Sequence, residues 1–93
     1  MKVIHEVLRH RFWVRLPGGE GELLYSVEGP DLLDLYHAEV SPNLRGRGIA
    51  AALVQAACDY ARASGTRLIA SCPYVEAWFR SHPEQRDLLI APA

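Results

Sequence analysis

The chain has 93 residues, 49% hydrophobic and 23% charged, with ten basic against eleven acidic side chains for a net charge of −1. That length predicts one domain, residues 1–93, with a modest core burying roughly 60–65% of the unfolded surface. The balance argues against nucleic-acid binding through a basic surface, and neither an apolar run of about eighteen residues nor a signal-peptide core is present.

Residues 2–8 alternate loosely and predict a first strand. Phe12, Val14 and Leu16 alternate with Trp13 and Arg15 in a second, ended by Pro17, Gly18 and Gly19. A third strand over 22–28 puts Leu23, Tyr25 and Val27 on one face. Gly29, Pro30 and Asp31 make a turn into a fourth strand over 32–40. Such short connections imply an antiparallel meander. Ile49, Leu53, Ala57 and Ala61 recur every four residues, with Val54 beside them, and predict a helix over 46–64 with one face on the sheet. Ser64 and Gly65 stop it. Residues 68–71 read as a fifth strand, parallel to the fourth because a helix intervenes. Val75, Trp78, Phe79 and His82 predict a short helix over 74–82, ended by Pro83, and residues 87–90 a last short strand. The fold class is α+β: a twisted, mostly antiparallel sheet with two helices.

The segment from His37 to Ala57, HAEVSPNLRGRGIAAALVQAA, carries the strongest functional signal. A strand, a glycine-bearing turn and a helix start follow one another there. Gly46 and Gly48 let backbone approach a bound group closely. The first N–H groups of the next helix have no intrahelical partner, and with the helix dipole they suit a phosphate or pyrophosphate. The dinucleotide fingerprint GxGxxG is not met, because Ala51 stands at the third glycine position, and no lysine follows as in a P-loop. On these residues alone, a phosphate-binding or interaction domain also remains open.

Arg45-x-x-Gly48-x-Ala50 resembles the acetyl-coenzyme A signature of the GCN5-related N-acetyltransferases, (Arg/Gln)-x-x-Gly-x-(Gly/Ala). The flanking Val40-Ser41-Pro42 and Ile49-x-x-x-Leu53-Val54 also look like that family's motif A. His37-x-Glu39-Val40, Arg45-Gly46-x-Gly48-Ile49 and Cys72-Pro73-Tyr74 together resemble its minimal subfamily of about a hundred residues, over nearly the whole chain. The resemblance implies strands four and five that diverge at their C-terminal ends, with the pantetheine arm of coenzyme A along the edge of residues 38–40. It implies a donor site at Val40, Arg45, Gly46, Arg47, Gly48, Ile49, Ala50 and Ala51. It implies an acetyl-coenzyme A-dependent N-acetyltransferase acting on a small-molecule or protein amine. A non-catalytic acyl-coenzyme A-binding module is the alternative.

Acyl transfer to an amine needs a base, and a histidine titrates close to neutrality. His37 is the expected base, and Glu39, two residues along the same strand face and about 7 Å away, orients it or acts in its place. Cys72 has two catalytic roles open to it: proton donor to the leaving thiolate, or nucleophile forming an acyl-enzyme. Tyr74 ranks behind it as an acid. Trp78 and Phe79 are expected in the core, and His5, His10 and His82 are expected to be structural. Cys58, mid-helix among alanines, reads as a buried small hydrophobe. Two cysteines are too few for a disulfide framework and point to a reducing, cytoplasmic setting. No cluster has metal-ligand spacing, so no metal is expected. Oligomeric state is left open.

Overall fold

In the computed structural model, which describes residues 1–90, five strands form one sheet in the order of the sequence. They are β1 (Ile4–Glu6), β2 (Arg11–Leu16), β3 (Gly19–Gly29), β4 (Leu32–Val40) and β5 (Arg67–Ala70). The first four are antiparallel and β5 runs parallel to β4. The helix α1 (Ile49–Ser64) supplies the crossover and α2 (Pro73–Ser81) follows β5. Three short 3-10 segments cover Val7–Arg9, Pro42–Leu44 and Pro83–Leu88.

The core lies between the sheet and α1. Ile49, Leu53, Val54, Ala57, Cys58 and Ala61 of α1 are buried and join Phe12, Val14, Leu23, Tyr25, Leu33 and Leu35 of the sheet in one cluster. Trp78, Phe79 and Val75 of α2 complete it. Gly65, at φ +71°, ends α1, with the Thr66 N–H reaching the Ala61 carbonyl at 2.9 Å. That left-handed glycine stop is what Ser64-Gly65 foretold.

Several boundaries differ from the pattern-based expectation. The first strand spans three residues rather than seven, because the chain turns at Val7–Arg9 and His10 takes a left-handed φ of +52°. The long helix begins at Ile49, not 46, because Gly46 and Gly48 sit at φ +80° and +76°. Such angles belong to a turn, not to a right-handed helix. The last strand is not formed. Residues 83–88 coil as a 3-10 segment, and a single bridge from Leu89 to Leu68 follows. Val27 is exposed rather than on the core face, beside a register shift between Val27 and Gly29 that twists the hairpin end.

A second register shift positions the functional residues. Leu24 pairs with His37 while Tyr25 pairs with Leu35, so Tyr36 is an extra residue in β4. Strict alternation would put residues 37 and 39 on the buried face with Leu33 and Leu35. The bulge reverses the faces beyond Tyr36. Ala38 and Val40 therefore pack against the core, and His37 and Glu39 are exposed on the other face.

Candidate active site

β4 and β5 stay paired from Leu32↔Arg67 to Leu35↔Ala70, and one further bond joins them, from the Cys72 N–H to the Leu35 carbonyl at 3.0 Å. Beyond it, β4 runs on from Tyr36 to Val40 without a neighbour on that side. The Ser41 N–H bonds the Glu20 carbonyl on β3 at 2.9 Å. By alternation the N–H and C=O groups of Ala38 and Val40 face the opening. Arg45 already occupies one of them, its Nε donating to the Val40 carbonyl at 3.2 Å.

A cleft of about 500 Å³ fills this opening. One wall is β4, from His37 to Val40; the floor is Leu44 with Arg45, Gly46 and Gly48; the end is the first turn of α1, from Ile49 to Ala51. Tyr74, from the start of α2, closes the far side. Gly48 is the N-cap of α1 in left-handed conformation, and no side chain caps the helix. The first intrahelical bond comes from the Ala52 N–H to the Gly48 carbonyl at 3.0 Å. The N–H groups of Ile49, Ala50 and Ala51 are thus left unpartnered within the helix. A Cβ built on Gly46 or Gly48 would meet no protein atom within 4 Å, so the space around this turn is open. Geometry of this kind suits an anionic group such as a phosphate.

His37 and Glu39 sit at the mouth, with Nε2 and Oε2 3.8 Å apart and both side chains at least half exposed. Their reach toward one another is closer than backbone spacing suggested, because long side chains on one face converge. A recess of about 250 Å³ adjoins the first, sharing Glu39, Val40 and Arg45 and lined also by Glu20 and Glu22.

The structure brings together His37, Glu39, Val40, Arg45, Gly46, Gly48, Ile49, Ala50 and Ala51 on one cleft. Two of the sequence candidates stand apart. Arg47 is exposed and does not line it. Cys72, the N-cap of α2, is 6% exposed and lies in the core cluster rather than on the cleft wall. Tyr74, ranked below it, is the α2 residue that reaches the cleft, 42% exposed. Burial, and secondarily the neighbouring Cys72, raises the Tyr74 phenol above its ordinary pKa, so it stays protonated at neutral pH. Leu44 escaped notice in the sequence; it looked like loop, and the only clue was its place after Pro42.

His5, His10, His82 and Cys58 do not line the cleft. His5 Nε2 pairs with the Tyr25 hydroxyl at 2.7 Å, and His82 Nδ1 pairs with the Trp78 carbonyl at 2.7 Å. Burial pushes the Cys58 thiol up to about 12.

The family model for the GCN5-related N-acetyltransferases matches residues 11–88. The chain belongs to this family. It is 36% identical over 85 residues to Protein NATD1 of Bos taurus, covering 89% of this chain and 75% of that one. It is 32% identical over 90 residues to Protein NATD1 of Danio rerio, covering 95% and 82%. Its fold is similar to the solution structure of a GCN5-like protein from Staphylococcus aureus, with a TM-score of 0.76 at 19% identity over 99% of this chain and 90% of that one. Family membership supports an N-acetyltransferase-like role. Among the described residues no helix is long and apolar enough to cross a membrane.

Proposed function

We propose that residues 1–93 form one catalytic domain that moves an acetyl group from acetyl-coenzyme A to a small-molecule or protein amine. The observation that carries this reading is the cleft where β4 leaves β5, ending on an uncapped helix N-terminus behind two left-handed glycines. In this reading Arg45 and the backbone of Gly46, Gly48, Ile49, Ala50 and Ala51 hold the pyrophosphate, and the edge at Ala38 and Val40 holds the extended arm. Arg47 would serve only from the rim. Two free thiols fit a reducing compartment, and we assign the protein to the cytosol.

The bound donor supplies the acetyl group as a thioester. His37 accepts a proton from the acceptor nitrogen and frees its lone pair for attack. Glu39, 3.8 Å away, stabilises the imidazolium that results. Tyr74, protonated and on the cleft, donates to the departing sulfur. Cys72 is the second candidate donor, one layer behind. Because Cys72 is buried away from the cleft wall, direct transfer is favoured over an acyl-cysteine step. Holding the reactants together supplies much of the rate.

The test is a coenzyme A titration by calorimetry followed by turnover against an amine panel. His37→Ala should keep coenzyme A affinity and lose roughly 10²–10⁴-fold in kcat. Binding without turnover on any amine would make the protein an acyl-coenzyme A-binding module, and no binding would overturn both readings. Intact-mass measurement after acetyl-coenzyme A alone decides the chemistry: a turnover-competent adduct on Cys72 would replace direct transfer.

A further inference from the structure

We infer that Asp34 is a positioning residue that sets where β4 and β5 part, and so fixes the start of α2 at Cys72 and places Tyr74 at the cleft. In a parallel pair every second residue of one strand bonds its neighbour. Arg67 does so, its N–H reaching the Asp31 carbonyl at 2.8 Å. Continued in register, the same row brings the Ser71 N–H to the Leu35 carbonyl. It does not go there. Asp34 Oδ1 accepts the Ser71 N–H at 3.3 Å, and Oδ2 accepts the Ser71 hydroxyl at 2.8 Å. The Leu35 carbonyl takes the next N–H instead, that of Cys72, at 3.0 Å.

The carboxylate thus diverts one amide and lets the chain slip forward by one residue at the end of β5. Cys72 becomes the N-cap of α2 at that slip, and Tyr74, two residues on, lines the cleft. Asp34 lies on the far side of the Tyr36 bulge from His37 and Glu39. The bulge therefore orients the β4 side of the site, and the Asp34–Ser71 clasp orients the α2 side. Without an acceptor at position 34, the Ser71 N–H competes for the Leu35 carbonyl. The regular ladder then returns, and the start of α2 shifts by a residue.

This inference rests on the proposed function for its kinetic consequence but not for its structural one. Amide hydrogen exchange by NMR reads the second directly. In wild type the Cys72 amide should be protected. In Asp34→Ala, Cys72 should lose about tenfold or more in protection as its local bond opens. Asp34→Asn keeps a carbonyl oxygen for the Ser71 N–H and an amide that donates to the Ser71 hydroxyl, so it should restore wild-type exchange. In turnover, Asp34→Ala should cut kcat by about 10- to 100-fold through misplacement while the acetyl-coenzyme A KM stays within about twofold, since the 45–51 loop is untouched. Unchanged Cys72 protection in Asp34→Ala, or Asp34→Asn failing to rescue, overturns the clasp. If Asp34→Ala does not fold, Ser71→Ala decides: it removes only the hydroxyl bond and should lower Cys72 protection partway, and no change refutes the inference. If wild type acetylates nothing, the proposed function falls while the exchange result still judges Asp34.

Discussion

Gly48 and Gly46 hold φ values of +76° and +80°, where a side chain costs about 1–2 kcal/mol. The motif places only Gly48 in the core signature, which predicts a milder effect at Gly46. The backbone treats them alike, so Gly46→Val and Gly48→Val should lose similar thermal stability. With a ΔΔG near 1 kcal/mol, each should fall by roughly 4–8 °C in Tm. No protein atom lies within 4 Å of a Cβ at either site, so neither variant is hindered by packing. Their difference in coenzyme A affinity then reports how closely the ligand approaches each. Calorimetry should show Gly48→Val losing at least about tenfold, or roughly 1.4 kcal/mol. Unchanged affinity in a folded Gly48→Val would remove this turn from the donor site.

At the scale of elements, what was legible had a period or a stop signal. Phe12 and Val14, the four-residue spacing from Ile49 to Ala61, and Gly65 announced β2, α1 and its end. What was not legible depended on partners distant in sequence. The Tyr36 bulge marks β4 only as a change of phase, from Leu33 and Leu35 to Ala38 and Val40, and its place is fixed by Leu24 and Tyr25 on β3. Tail residues 87–90 looked like a strand because Leu88, Leu89 and Ile90 are apolar, but Arg62 of α1 grips Asp87 through bonds of 2.9 and 3.0 Å and the chain coils there instead. The cleft was half visible for the same reason: the glycine turn is local, whereas the choice between Cys72 and Tyr74 is made by where α2 starts. The bulge gives a sharp prediction. Deleting Tyr36 removes the extra residue, so Leu35 and His37 become neighbours and plain alternation keeps Leu35, Ala38 and Val40 inward with His37 and Glu39 out. The deletion should therefore keep a cooperative thermal transition in circular dichroism. Tyr36→Ala, at an exposed position, should change stability by less than about 1 kcal/mol. Loss of the transition in the deletion would mean that the bulge itself, and not only the facing it sets, holds the sheet together.

The whole molecule is predicted to lose stability at both ends of the pH range, through two different buried groups. His5 stacks on Phe12 at 4.1 Å, meets Tyr60 edge-on at 4.4 Å and pairs with the Tyr25 hydroxyl, with His10 stacked behind Tyr25. Burial lowers its pKa below 6.5. Between that lowered value and 6.5 the unfolded chain therefore holds more protons, so stability falls as pH drops below 6.5. His5→Gln, neutral throughout and able to keep the Tyr25 bond, should flatten this limb in urea unfolding between pH 5 and 7. The alkaline limb belongs to Cys58. Burial raises its thiol from 9.0 to about 12, so above pH 9 the unfolded chain releases a proton that the folded chain keeps. Stability should then fall by up to about 1.4 kcal/mol per pH unit. Tyr25 and Tyr74, also raised by burial, add to the loss only above their ordinary value of 10.0. The interval from pH 9 to 10 is thus the one in which Cys58 dominates. Cys58→Ala should lose about 1 kcal/mol at pH 7 to the small cavity but show little further change from pH 9 to 10, so the two stability curves converge there. Parallel curves for wild type and Cys58→Ala would show that this thiol does not set the alkaline limit.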